Sequence, residues 1–436
     1  MTEPVRVRMY NVGFGDCFVV SIPGPERDHV VLVDCGRHSG TLMDEPPFWD
    51  VVERVVADLP RVDGKPAVDV LVMTHRHRDH VHGFSREELW RDVRVGEVWM
   101  PWTENDADPV ARGLKEQQDA SAARSFHALR AFGAGARPAV DIALNSITNQ
   151  GAMDTLRGFG CPVRYLPDPL RPQGTVLTGR SGGGLGLPAG LTVHVLGPSR
   201  DRATITLLDP PPGSAYLRMV PAAAHAHDVA FDAAAPYDSP PLDVPRPWAG
   251  DWDISRPEYE ARVGAGGAPL VDDDLLAHLD AAACADAEGL AMSVDHALNG
   301  TSLVLLFEIG KLCLLFPGDA QWGTWKAMLA NPDWEQKLKD VRFLKVGHHG
   351  SHNATPVEFV EGYLHDAVAM LSVSATAYNT KGWKEIPKDE LVEAMQAAGR
   401  LDLLVRSDKP APRSPRVTSD PGGFWTEVRL DVDGGP

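Results

Sequence analysis

Cysteine is scarce. The 436-residue chain carries five, Cys17, Cys35, Cys161, Cys284 and Cys313, with no CxxC pair among them. That excludes a disulfide framework and leaves reduced, mostly core thiols of a cytoplasmic protein as the expectation. Long hydrophobic runs are missing too. No stretch approaches the ~20 apolar residues of a membrane helix, so no membrane association is expected. The opening residues Met1 to Tyr10 hold no apolar h-region, so no secretory signal is expected either. Positive charge is in short supply: 42 Lys and Arg stand against 60 Asp and Glu, a net charge of −18. This argues against a whole-surface basic face for nucleic acid, while leaving room for a local basic groove. No repeat of fixed period is present. What remains, 43% hydrophobic and 23% charged residues, is a globular composition. At roughly 150 residues per domain, the length predicts about three units or one large fold with insertions.

The two ends of the chain read as alternating strands and helices. Val5 to Met9 alternates apolar and polar side chains, and Cys17 to Ile22 and Val30 to Val33 are short apolar runs closed by Gly or Pro. Phe48 to Leu59 has helical spacing and stops at Pro60, and Val68 to Met73 is a buried-strand run. Helices are expected over Arg112 to Phe132 and about Val140 to Gly158, and a strand over Leu191 to Leu196. In the last third, Ser302 to Phe307 and Leu312 to Phe316 read as a hairpin. Strands follow at Val341 to Val346 and Val368 to Val373, with helices at Val357 to Tyr363 and Lys388 to Ala398. The middle differs. Residues 201–250 hold nine prolines, and a structureless stretch from Arg202 to about Gly267 would be functional or mobile. A helix is expected over Leu270 to Ala291. The division predicted is 1–200, an acidic Pro/Ala-rich insertion and helix over 201–290, and 291–436.

Three polar clusters each follow an apolar strand. The first is Thr74-His75-Arg76-His77-Arg78-Asp79-His80-Val81-His82-Gly83. Neutral imidazoles and a carboxylate suit borderline divalent ions such as zinc, and a strand end delivers them preorganised. The second is Pro317-Gly318-Asp319, whose carboxylate could bridge two ions through its two oxygens. The third is Gly347-His348-His349-Gly350-Ser351-His352. An isolated Gly-Asp is usually a turn and an isolated His usually structural; here the company argues for function. His82 reads as a supporting or surface residue, and Asp16 as a turn cap near the site. His194, His225, His227, His278 and His365 lie outside any ligand spacing.

HxHxDH, a strand-end Gly-Asp and HHGS together resemble the metallo-β-lactamase fold. The wording is similar to the soluble hydrolase domain of ComEC-type competence DNA-uptake proteins. Asn11 to Cys17 resembles that branch's DVGQGD segment, Leu32 to Gly36 its LIDCG, Asn299 to Leu305 its entry into the hairpin, and Leu344 to Ser351 its LKVPHHGS. The resemblance covers about residues 5–110 and 290–430. It implies an α/β fold, a four-layer αββα sandwich with metals at one edge, here carrying a Pro-rich acidic insertion. It also implies two divalent ions, zinc or alternatively manganese. His75 and His77 would bind one. Asp79 and His80 would bind the other, with Asp319 bridging and His348, or alternatively His349, completing that second site. Asp34 would orient the metal loop. Two positions depart from the pattern. Where relatives carry a His before the hairpin, this chain has Leu298-Asn299-Gly300-Thr301. His296 or Asn299 then becomes the candidate for a metal or a supporting contact. The late His-Pro of the branch is replaced by Ile386-Pro387.

The reaction so implied is hydrolysis by a metal-bound hydroxide, with Asp79 orienting it and His349, Ser351, His352 and Asn353 beside the substrate. Lys345 is a weaker candidate for substrate contact. Phosphodiesters, in nucleic acid or nucleotides, are the leading substrate class. The alternatives are a lactone, thioester or amide, and a non-catalytic interaction protein with a structural metal. Arg76, Arg78, Arg86, Arg91 and Arg94 read either as a solvated face or as positive potential for a phosphate. The acidity is local: residues 201–300 carry a balance of −12, leaving −6 for the rest. That insertion would screen the site against long nucleic acid or bind a basic protein partner.

Overall fold

Alternating burial in Val5–Tyr10 makes the first strand and decides which way the sheet faces. Val5, Val7 and Met9 point into the core while Arg6 and Arg8 point away. The computed structural model describes residues 3–38, 46–130, 145–146, 149–170, 174–179, 185–208, 210–211, 213–216, 294–374 and 386–433. In chain order the strands are β1 (Val5–Tyr10), β2 (Phe18–Ile22), β3 (His29–Val33), β4 (Arg61–Val62), β5 (Lys65–Val72), β6 (Arg94–Pro101) and β7 (Val163–Leu166). There follow β8 (Val176–Thr178), β9 (Leu191–Gly197), β10 (Val304–Ile309), β11 (Leu312–Phe316), β12 (Val341–Lys345), β13 (Ala367–Leu371) and β14 (Leu401–Arg406). The last two are β15 (Val417–Ser419) and β16 (Trp425–Leu430).

One sheet runs β15-β16-β1-β2-β3-β5-β6-β7, with β4 paired to β5. The other runs β14-β13-β12-β11-β10-β9-β8. In each, an antiparallel part (β16-β1-β2-β3; β8-β9-β10-β11) turns into a parallel one (β3-β5-β6-β7; β11-β12-β13-β14). The sheets share a core: Val7, Phe18, Val70 and Val72 of the first meet Leu305, Phe307, Leu314 and Phe316 of the second. The opposite faces carry helices. Phe48–Asp58 and Gln150–Gly158 cover Leu71 and Val98. Trp322–Leu329, Pro332–Lys339, Val357–Gly362 and Asp389–Met395 cover Leu306, Leu315 and Leu344. This is a mixed α/β sandwich of two sheets. No described helix is long and apolar enough to cross a membrane.

The sheets do not divide where the sequence suggested. β8 and β9 precede residue 200 yet belong to the second sheet, and the C-terminal β15 and β16 return to the first. The helix expected from Val140 is present as positions 145–146 and as Gln150–Gly158, with Asn149 at the cap of the latter. Arg202–Ile205, expected to be loop, is a short helix capped by Asp201. The expected helix over Leu270 to Ala291, most of the Pro-rich stretch, and His225, His227, His278 and Cys284 lie outside the described residues.

Asp69, in the middle of β5, ties this framework together at one buried point. Its carboxylate accepts two hydrogen bonds from Arg27 (2.6 and 2.7 Å), one from the Val30 amide (2.8 Å) and one from the Gly186 amide (3.1 Å). Burial opposes the charge, but these donors win and hold the carboxyl below the usual range. A depressed carboxylate contributes stability that is present above pH ~3.8 and is lost as pH falls through the folded value. Asp69→Asn is therefore expected to cost about 1.5–3 kcal/mol at pH 7, by denaturant unfolding. The difference from wild type should narrow as both are titrated below pH ~3.8. An equal difference at pH 7 and pH 3 would contradict the assignment.

Candidate metal centre

β3 and β5 are parallel neighbours, so the residues that follow them emerge side by side. Asp34, just past β3, takes a left-handed backbone (φ 56°) and turns its carboxylate across to the neighbouring strand end. One oxygen accepts the Thr74 amide (2.8 Å); the other accepts the Thr74 hydroxyl (2.7 Å) and contacts His80 Nδ1 (2.8 Å). The loop Thr74 to His77 then closes into the turn Arg78–Val81, which carries Asp79 and His80 back into the centre. Two glycine-bearing loops clamp this turn by backbone alone. The Asp16 amide donates to Asp79 O (2.9 Å) and the Cys35 amide to His80 O (2.8 Å). A Cβ at Gly36 would overlap the backbone of Asp79 and His80, so only glycine allows that approach.

The second sheet supplies the rest from its own strand ends. Asp319 follows β11 across Pro317 and Gly318. Its Oδ1 accepts from Lys345 Nζ (3.0 Å) and from the His348 amide (3.1 Å). Its Oδ2 faces His80 Nε2 at 3.1 Å. Only Oδ2 therefore faces the imidazoles, which corrects the expectation of a bridge through both oxygens. His348 and His349 both lie in the left-handed region (φ 44° and 51°), a strained conformation kept where surrounding contacts enforce it. The effect is to splay the two rings.

His349 enters the Asp79 and His80 group and His348 does not. Asp79, His80, Asp319 and His349 bring one ligand atom each within 4.8 Å of the others, all buried. His349 Nε2 lies 3.3 Å from Asp79 Oδ2 and 4.0 Å from Asp319 Oδ2; His80 Nε2 lies 4.0 Å from Asp79 Oδ2. A tetrahedron with ~2.1 Å arms has edges of roughly 3.4 Å, so these separations fit a divalent ion with little movement. The outer nitrogens agree. His349 Nδ1 donates to the Ser372 carbonyl (2.9 Å) and His80 Nδ1 faces Asp34, leaving each Nε2 lone pair inward. His348 instead sits between Asn299 (3.3 Å) and Gln321 (3.5 Å). It was the preferred member of the pair on sequence; the successive left-handed residues turn it away.

His75 and His77 form a second group. His75 Nε2 and His77 Nδ1 are 2.9 Å apart, and Asn299 Oδ1 is 2.9 Å from His77 Nδ1. Sequence reading missed Asp295. It stands 3.5 Å from His77 Nε2 and accepts from Asn299 Nδ2 (3.2 Å). The i, i+4 spacing of Asp295 and Asn299 on helical residues 294–299 was its one sequence signal. Asp16 is more than a turn cap: it pairs with Lys345, which is buried against Asp16 and Asp319. Ser351 and Asn353 bond each other (3.1 Å) and are buried, bracing the turn rather than facing outward. His352 is half-buried.

Charge decides what the centre can hold. Five buried carboxylates, Asp16, Asp34, Asp79, Asp295 and Asp319, surround the centre, and the buried ammonium of Lys345 pairs with two of them, Asp16 and Asp319. Burial, with Asp79 close by, pushes Asp295 up to about 8. Burial disfavours the charged form of His80 and His349, but adjacent carboxylates outweigh it and raise both. Burial lowers His75, takes His77 to about 3 and His348 to about 4, so these rings are neutral with free lone pairs. A site so rich in anions, filled out by imidazoles, suits divalent cations.

Four of the arginines beside the loop have contacts within the fold. Arg76 is buried and pairs with Asp119 (2.8 Å) and Glu104 (3.7 Å). Arg78 contacts His82 (2.7 Å), which stacks on Phe48. Arg86 lies over Trp49, and Arg94 pairs with Asp63. His194 pairs with Glu308, an ordinary surface contact. No protein-family model matches the chain, and no curated protein matches its sequence.

Because neighbouring carboxylates raise the proton affinity of His80 and His349 and burial pushes Asp295 up to about 8, metal binding should release protons. Affinity is then expected to rise with pH from 6 to 8, about tenfold per pH unit for each proton displaced. Titration calorimetry of chelator-treated protein in buffers of different ionisation enthalpy measures the release. A buffer-independent enthalpy would contradict it.

Proposed function

We propose that the chain is a metal-dependent hydrolase of the metallo-β-lactamase fold, a four-layer αββα sandwich, acting on phosphodiesters. The observation that carries this reading is the buried Asp79, His80, Asp319 and His349 group beside the His75–His77 pair, where two sheets meet at their strand ends. The sequence resemblance to ComEC-type hydrolase domains supports the same reading and supplies the phosphodiester part. Two divalent ions, zinc or manganese, would activate water at neutral pH and offset charge developing on the substrate.

The chain's own groups have definable tasks. Asp34 and Ser372 fix the tautomers of His80 and His349, so both present Nε2 inward. Lys345 and the His348 amide hold Asp319 Oδ1, so Oδ2 is the oxygen left to bind. Asp79 is held by Asn145 through its other oxygen (3.1 Å) and keeps Oδ2 towards the centre, where it can orient a water. His349, a member of the binding group, is poorly placed to be a proton donor. His348 is neutral at pH 7 and suits a hydrogen bond to a substrate oxygen better than acid catalysis.

A cavity of about 320 Å³ adjoins His77 through Ser146, and Arg76, Glu104, Lys115, Asp119, Asn149 and Gln150 line it together with Ala123 and Met153. His80→Ala and Asp319→Ala are expected to bring hydrolysis of bis-p-nitrophenyl phosphate to background with circular dichroism unchanged. The wild-type protein, loaded with zinc or manganese, is to be compared on that diester, single-stranded DNA, a cyclic dinucleotide and a lactone. Full diester activity in either variant would overturn the metal reading, and activity confined to the lactone would overturn the substrate class.

A further inference from the structure

Where similar proteins are expected to carry a histidine, residues 298–301 offer none, so the first metal position would rest on His75 and His77 alone. We infer that Asn299 completes that position through its side-chain oxygen, and that Asp295 is the carboxylate holding Asn299 and His77 in ligating orientation. The inference rests on the two-metal reading above and adds to it a ligand and a positioning residue.

Three observations carry it. Asn299 Oδ1 and His75 Nε2 each lie 2.9 Å from His77 Nδ1, so three atoms able to donate an electron pair are neighbours here. The Asn299 amide nitrogen lies 3.2 Å from Asp295 Oδ2 and 3.3 Å from the ring nitrogen Nε2 of the neutral His348, which leaves the amide oxygen on the side of His77. The same carboxylate reaches the far side of the His77 ring, with Oδ1 3.5 Å from Nε2. A proton on Nε2, facing Ser146 Oγ (3.3 Å) and the Asp295 carboxylate, leaves the Nδ1 lone pair on the side of His75 and Asn299. This is the carboxylate–histidine support that metal-binding imidazoles usually have. One carboxylate thus aims two ligands that lie 222 residues apart.

His296, the other candidate on this helix, projects about 100° round the axis from Asp295. His77 and Asn299 are buried, so nothing but the chain itself sets their orientation. A carboxamide oxygen is a weaker, harder donor than imidazole. The first position should therefore bind zinc less tightly than a three-imidazole site and accept manganese more readily.

The test is metal content and affinity, read without substrate. Wild-type protein dialysed against zinc should retain two ions by mass spectrometry, one held more loosely. Asn299→Ala should retain one. Asp295→Asn should keep both under saturating zinc but bind the looser ion 10–100-fold more weakly, with the tighter ion unchanged. Asn299→His should tighten the looser ion and shift the visible spectrum of the cobalt-substituted protein, a change that loss of fold would not produce. The inference is overturned if Asn299→Ala holds two ions with unchanged affinities. If that variant does not fold, an Asn299→His protein with unaltered affinity and cobalt spectrum overturns it. A wild-type protein with one ion overturns the inference and leaves hydrolysis by a single-metal centre standing. A wild-type protein with none removes the underlying reading as well.

Discussion

Buried negative charge is the constraint on which the centre and its surroundings depend. Each carboxylate taken from water without a partner costs several kcal/mol, and five surround this centre. The chain meets this cost by local neutralisation. Lys345 serves Asp16 and Asp319, Asp34 is fully used by Thr74 and His80, and Asp295 is pushed towards its neutral form. The protons raised onto His80 and His349 do the remaining work, at the positions where a cation would otherwise sit. In such a centre protons and a cation would compete for the same carboxylates, so any affinity for metal would depend on pH.

Holding such a group requires a frame that does not relax. The two sheets provide it by ending their strands at the same edge, and the close backbone contacts finish it. The glycines at 15 and 36 allow the N-terminal loops to press on the Arg78–Val81 turn, and the amides of Asp16 and Cys35 bond directly to it. Left-handed Asp34, His348 and His349 store strain where the side chains must be aimed most narrowly. The contact of Leu303 N with Thr74 O (2.8 Å) closes the edge between the two sheets.

Much of this was legible in the sequence because apolar strands ending in polar clusters are a local signal. β1, β2, β3, β5 and the β10–β11 hairpin could be read from runs of four to six residues, and so could His75, His77, Asp79, His80 and Asp319. β6 was missed: Arg94–Pro101 contains Gly96, Glu97 and Pro101, and becomes a strand because it lies parallel to β5. The pairing of β16 with β1 spans nearly the whole chain and has no local trace. Asp295 was illegible for the same reason, since its meaning depends on His77, far away in sequence. The choice between His348 and His349 turned on backbone angles that two adjacent identical residues do not encode.

Charge counting misled most where it seemed most direct. Arginines next to a metal loop suggest attraction for phosphate, yet Arg76 is spent on Glu104 and Asp119 and Arg94 on Asp63, while Arg78 contacts the neutral ring of His82. A guanidinium already paired inside the fold contributes little field to an incoming anion, because its partner cancels it within a few ångströms. Under the proposed reading, discrimination between substrates would fall to neutral polar groups beside the imidazoles, Asn145, Ser146, Asn149 and Gln321. Such groups reward a ligand that satisfies their hydrogen bonds and penalise one that leaves them unpaired and buried. For the proposed hydrolase, the hydrogen-bonding groups around His77 would therefore weigh more in substrate choice than the chain's net charge.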